Sequence, residues 1–147
     1  MLVVAFILLY KLTRSLKELD MSRCLDQIVV IDDDLHNRVL VREVLQLDHT
    51  FPPERVVQIA DLSVASSFLQ RADLANMGGI FDLNLTPHGS EGLLLAELAL
   101  ARQMRLLMLF TNDPRFVPVA WKNAHPSVPV VDKELICLSE VLKKWFK

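Results

Sequence analysis

The sequence predicts an α/β domain: a five-stranded parallel sheet flanked by helices on both faces, with an extra N-terminal helix. Three observations carry this. From Asp26 onward, five short apolar runs alternate with five stretches of helical pattern, the order that builds a parallel sheet with crossover helices. The runs are continuously apolar rather than alternating, as strands buried on both faces are. Each of the first, third, fourth and fifth runs ends in or runs into polar residues, which gathers chemistry at one edge of the sheet.

The elements follow in order. Gln27-Ile-Val-Val-Ile31 is a fully apolar strand ending in Asp32-Asp33-Asp34. Residues 37–47 place Leu40, Val41, Val44 and Leu45 on one helical face. Arg55 to Ala60 reads as the second strand, entered through Pro52-Pro53, and Asp61 or Ser63 can cap the helix that carries Val64, Ala65, Phe68, Leu69 and Ala72. Gly78-Gly79 breaks the chain before a third strand over Ile80 to Leu85. A helix from Ser90 to Arg102 presents Leu93, Leu94, Leu95 and Leu98 as its buried stripe. Leu106 to Phe110 is the fourth strand. Pro114, Pro118 and Pro126 then allow at most a short or interrupted helix. Val128 to Val131 makes the last strand, and Leu135 to Phe146 the closing helix, with Leu135, Leu138, Val141, Leu142 and Trp145 inward. Residues 1–25 form a helical extension and 26–147 one domain.

Composition narrows the function. The chain has 147 residues, is 52% hydrophobic and carries a formal charge of −2, so it is neither disordered nor provided with the basic face that nucleic-acid binding needs. Cys24 and Cys137 form no metal spacing and no disulfide framework, which suits a reducing, cytoplasmic compartment, and both read as small packed hydrophobes. His36, His49, His88 and His125 lack ligand spacing and read as surface residues. Phe116 and Trp121, in the Pro-interrupted stretch, read first as packing residues.

The N-terminal run Leu2 to Tyr10 is shorter than the about 20 apolar residues of a membrane span, and it lacks the basic start and small-residue cleavage site of a signal peptide. Leu2, Ala5, Leu9, Leu12, Leu16 and Leu19 recur at heptad spacing. The seam predicts a helix that packs on protein, on its own domain or as a homodimer; membrane-surface contact is the other reading, and Met21 is an alternative start.

The polar residues that end the strands are Asp32, Asp33 and Asp34, then Asp82 and Asn84, then Thr111, Asn112 and Asp113, then Asp132 and Lys133. Two carboxylates about 5 Å apart repel by roughly 3 kcal/mol at an effective dielectric of about 20. Such a cluster calls for a cation, and hard oxygen donors that leave positions for water and phosphate suit Mg²⁺.

Val29-Val-Ile-Asp32-Asp33-Asp34, Phe81-Asp82-Leu-Asn84-Leu, the helix opening Gly92-Leu-Leu-Leu, Thr111 and Lys133 together resemble the response-regulator receiver domain of two-component phosphorelays, a stand-alone CheY-like receiver with the flavodoxin-like fold. The resemblance implies that Asp82 is the phosphoryl acceptor. Asp33 would bind Mg²⁺ directly and Asp32 mostly through water, with Asp82 and the carbonyl of Asn84 completing the ligands. Thr111 and Lys133 would contact the phosphoryl group, with Asn112 beside it. It also implies a sensor histidine kinase or histidine phosphotransfer protein as donor, a downstream protein target, and a switch rather than a metabolic enzyme.

The sequence departs from the family pattern in four places. The loop after Asp82 is longer than usual, Asn112 replaces a small residue, and Glu134 replaces the Pro that forms a cis bond after the Lys. Val130 stands where an aromatic residue commonly switches. Two other functions fit parts of the sequence: a receiver-fold interaction module that works without phosphorylation, and a haloacid dehalogenase-type phosphohydrolase. The latter would take Asp32 as nucleophile and Asp34 as acid/base, with Leu109-Phe-Thr111-Asn112 as its second motif; the short stretch after Thr111 leaves little space for that family's later residues.

Overall fold

The computed structural model describes residues 4, 5, 7–11, 25–86 and 89–147. Among them the order is β1 (Gln27–Ile31), α1 (Leu35–His49), β2 (Val56–Ile59), α2 (Leu62–Arg71), β3 (Met77–Phe81), α3 (Glu91–Ala101), β4 (Leu106–Thr111), α4 (Val119–Ala124), β5 (Val130–Asp132) and α5 (Leu135–Leu142). Short 3-10 turns at Pro53–Arg55 and Pro114–Phe116 precede β2 and α4. The five strands form one sheet in the order β2-β1-β3-β4-β5, and every pair is parallel.

Alternate residues of each strand enter different cores. Val29, Ile31, Phe81, Leu107 and Leu109 pack with Ala65, Leu69, Leu95, Ala96 and Ala99, so α2 and α3 cover one face. Ile28, Val30, Ile80, Met108, Phe110 and Val131 pack with Val41, Leu45, Leu138 and Leu142, so α1 and α5 cover the other. Burial on both faces explains why the strands read as unbroken apolar runs.

The third strand lies earlier than the sequence predicts. Gly78 and Gly79 do not break the chain; they sit inside β3, which ends at Phe81. A Cβ on Gly78 would lie 2.8 Å from Trp145 and 3.0 Å from Leu25, and one on Gly79 2.6 Å from the Met104 sulfur. The strand is bare at these two positions so that large side chains close over it. Asp82 to Leu85 are loop.

Three predicted inward side chains are exposed: Val64 at 54%, Leu94 at 71% and Leu135 at 37%. On α3 the buried positions are Gly92, Leu95, Ala96 and Ala99. Small residues bring that helix close to the sheet and turn Leu94 outward. Cys137 is exposed rather than packed. As the prolines require, residues 114–124 hold only a 3-10 turn and the six-residue α4.

Residues 4, 5 and 7–11 are helical and exposed. The seam positions Leu2, Leu12, Leu16 and Leu19 lie outside the described residues, as do Met21, Cys24 and His88. Among the described residues no helix is long and apolar enough to cross a membrane.

Candidate functional site

Hydrogen bonds that continue the ladders beyond the strand ends place the site. Asp82 N–H donates to the Ile31 carbonyl at 2.7 Å, Asp32 N–H to Ile59 at 3.1 Å and Lys133 N–H to Thr111 at 3.0 Å. Asp32 and Asp82 therefore leave neighbouring central strands side by side. Thr111 ends the next strand, and Lys133 follows β5.

Side-chain contacts close the cluster. Lys133 Nζ lies 2.9 Å from Asp32 Oδ2 and 3.2 Å from Asp82 Oδ1, and the three side chains are only 8%, 3% and 6% exposed. Asp32 is held further by the Asp34 N–H, which donates to its Oδ1 at 2.9 Å, and by Arg38 Nη1, which donates to its carbonyl at 2.6 Å. Asp33 is exposed, yet one carboxylate oxygen from each of Asp32, Asp33 and Asp82 falls within 4.8 Å of the others. Three carboxylates against one ammonium leave the cluster negative. Its donors are all hard oxygens, one of the three side chains open to solvent, so the set fits a hydrated Mg²⁺.

The charges are tuned by burial and by each other. Burial pushes the Asp82 carboxyl up to about 6, and the Asp32 charge adds to this, while the Lys133 ammonium and the Asn84 backbone N–H pull the other way. Burial also works against the charge on Lys133. The hydrogen bond to Asp32 and the charges of both carboxylates outweigh it and hold its pKa above the ordinary lysine value.

A pH dependence follows, with its sign. An unfolded Asp titrates near 3.9, so between there and about 6 the native state binds more protons at Asp82 than the unfolded state. This group makes stability fall as pH rises through that window, with no further change above it. In EDTA, Asp82→Asn is therefore expected to match the wild type near pH 4 and to melt at higher temperature near pH 7. Thermal melts at both pH values check this; an equal gap at both would contradict it.

The remaining predicted residues are placed as follows. Asn84 is exposed and meets Asp82 through its backbone N–H. Thr111 is fully buried, and its hydroxyl accepts from the Asp113 N–H at 3.3 Å. Asn112 beside it is exposed. Asp34 accepts from the His36 N–H at 2.8 Å as the N-cap of α1. That engages one oxygen of the carboxylate a dehalogenase-type mechanism would use as its acid/base.

The sequence does not announce the contacts that shape the loop after Asp82. Gly92 N–H donates to the Leu83 carbonyl at 3.0 Å, and a Cβ on Gly92 would lie 2.0 Å from the Asp82 carbonyl oxygen. The first turn of α3 thus presses on the backbone that carries Asp82. Thr86 Oγ1 donates to Glu91 Oε1 at 2.6 Å. That bond, with backbone N–H groups of Glu91, Leu85 and Thr86, holds the Glu91 carboxyl below its usual range. A polar side chain just before a helix is too common a pattern to reveal this latch. Arg38, one turn after the Asp34 cap, carried no signal either.

Beside the site, α4 is tied to α3 by one carboxylate oxygen. Glu97 Oε1 accepts from Trp121 Nε1 at 2.8 Å and lies 3.1 Å from His125 Nε2, with the two rings 4.5 Å apart. Phe116 is exposed and Val130 half-buried. On the other face His49 stacks on Phe146, and burial, first among several influences, lowers its pKa.

No protein-family model and no curated protein sequence matches the chain. Solved structures do. The chain is similar to chemotaxis protein CheY4 of Vibrio cholerae, at 18% identity over 82% of this chain and 98% of that one, with a TM-score of 0.61. It is also similar to a response regulator receiver protein from Dyadobacter fermentans, at 20% identity over 82% of this chain and 97% of that one, with a TM-score of 0.56. The fold is that of CheY-like receivers.

Proposed function

We propose that residues 26–147 are a receiver domain in which Asp82 accepts a phosphoryl group from a phosphohistidine, on a sensor histidine kinase or a histidine phosphotransfer protein. The observation that carries this reading is Lys133 Nζ, buried between Asp32 and Asp82 at the carboxyl edge of the sheet. A carboxylate can attack a phosphoryl group only if the negative charge on both is offset.

Asp32, Asp33, Asp82 and the Asn84 carbonyl would hold Mg²⁺. Bound there, the ion would supply positive charge to offset that of the phosphoryl oxygens. A carboxylate oxygen of Asp82 forms the new bond to phosphorus as the phosphorus–nitrogen bond breaks, and the electron pair stays on the imidazole nitrogen. Lys133 turns from its ion pair to a phosphoryl oxygen, and the Thr111 hydroxyl leaves the Asp113 N–H to donate to another. Asn112 lies at the rim. The Thr86–Glu91 latch and Gly92 fix the backbone that carries the acceptor.

The domain then acts as a switch in the cytoplasm, read by a downstream protein target rather than by nucleic acid, and not as a metabolic enzyme. A second reading, an interaction module that works without phosphorylation, draws on Val130, where a switching aromatic residue is lacking.

Incubation with a small acyl-phosphate donor separates the two. With Mg²⁺, intact mass should rise by one phosphoryl group, and neither the Asp82→Asn variant nor the protein in EDTA should gain it. A protein that binds Mg²⁺ and stays folded but gains no mass would favour the module.

A further inference from the structure

We propose that the N-terminal helix is a lipid anchor that inserts its apolar run into one leaflet of an anionic membrane and holds the domain at that surface. The first observation is exposure at every described residue of the helix. Val4, Ile7, Leu8, Leu9 and Tyr10 are 60%, 50%, 63%, 62% and 63% exposed. At 3.6 residues per turn these five side chains point in every direction about the axis. Packing on the domain or on a second copy would bury one stripe and leave the rest in water. A helix that is apolar on every side matches hydrocarbon better than either.

The second observation is charge. Residues 1–17 contain Lys11, Arg14 and Lys17 and no carboxylate, so the apolar run is followed by cations alone before Glu18. Lys11 is exposed and comes directly after Tyr10. An aromatic ring followed by an ammonium is the order found where hydrocarbon gives way to headgroups, and the long lysine stem lets its charge reach the phosphates. The helical residues between 4 and 10 rise about 9 Å along the axis, within one leaflet of a hydrocarbon core about 30 Å thick. The occupant that fits both observations is an acyl-chain layer with negatively charged headgroups.

Vesicle flotation of the full chain tests this, and it needs neither Mg²⁺ nor a phosphoryl donor, so its outcome is separate from that of the acceptor chemistry. The protein should float with phosphatidylcholine vesicles that contain phosphatidylglycerol, more weakly with phosphatidylcholine alone, and less in added salt, which screens the cations. Ile7→Asp combined with Leu8→Asp should lower partitioning roughly a hundredfold, while circular dichroism and the melting temperature show the domain unchanged. Failure to float with any vesicle would overturn the proposal, and so would flotation that the double substitution leaves intact. A solution dimer, seen by light scattering and dissolved by the same substitutions, without vesicle binding, would assign the helix to a second copy of the chain instead.

Discussion

Replacing Gly92 with Ala is expected to lower stability by about 3 kcal/mol or more and to slow the proposed phosphoryl acceptance at Asp82 even where the protein remains folded. The added methyl would lie 2.0 Å from the Asp82 carbonyl oxygen and 2.7 Å from the Leu83 Cα. Both are backbone atoms, so no rotamer change relieves the clash. Either α3 moves away from the sheet and uncovers Leu95, Ala96 and Ala99, or the loop shifts and takes the Asp82 carboxylate from Lys133. Denaturant titration measures the first outcome and the rate of mass gain from an acyl phosphate the second. Leu95→Ala separates them: it costs about 2–5 kcal/mol of packing but adds no atom against the Asp82 backbone, so its acceptance rate in the folded protein should stay near that of the wild type. If Gly92→Ala behaves like Leu95→Ala in both assays, the contact on Asp82 has no functional weight.

Lys133→Met should have the other large effect, with opposite signs in two measurements. Removing the ammonium strands two buried carboxylates beside each other, and breaking a buried pair costs about 3–5 kcal/mol. The Asp82 carboxyl, already raised to about 6 with Lys133 pulling it down, would move higher. Phosphoryl acceptance should fall about a hundredfold or more for want of the cation facing the transferred group. Mg²⁺ affinity should increase, by roughly tenfold or more, because a repelling charge has left the donor cluster. Calorimetric titration with Mg²⁺ and the mass-gain assay check the two halves. Weaker Mg²⁺ binding in the variant would mean that Lys133 orders the carboxylates more than it competes with the ion.

Much of the candidate site was legible because it depends on topology more than on contacts. Once strands are recognised as apolar runs, a parallel sheet places their polar ends on one edge, and Asp32, Asp82, Thr111 and Lys133 meet there by register alone. The Asp61 cap of α2 was readable for a similar reason: a short acceptor before a helical pattern finds the free N–H groups of Ser63 and Val64. Two of the errors share one cause. Hydrophobic patterning weighs large side chains, but close packing of helix on sheet is made by small ones. Gly78 and Gly79 therefore looked like a break, and Leu94 looked buried in place of Ala96 and Ala99. The Glu97 tie to Trp121 and His125 and the Glu91 tie to Thr86 join residues that no local spacing rule connects.

The two tryptophans divide the molecule optically. Trp121 packs with the core beneath α2 and α3, half-exposed, its indole N–H on Glu97. Trp145 belongs to the opposite core and is buried over Gly78. Six residues make too short a helix to persist by propensity alone, so α4 stays ordered only while its ties to the rest of the protein hold. The fluorescence of Trp121 should thus report the attachment of α4, while Trp145 emits from the opposite core.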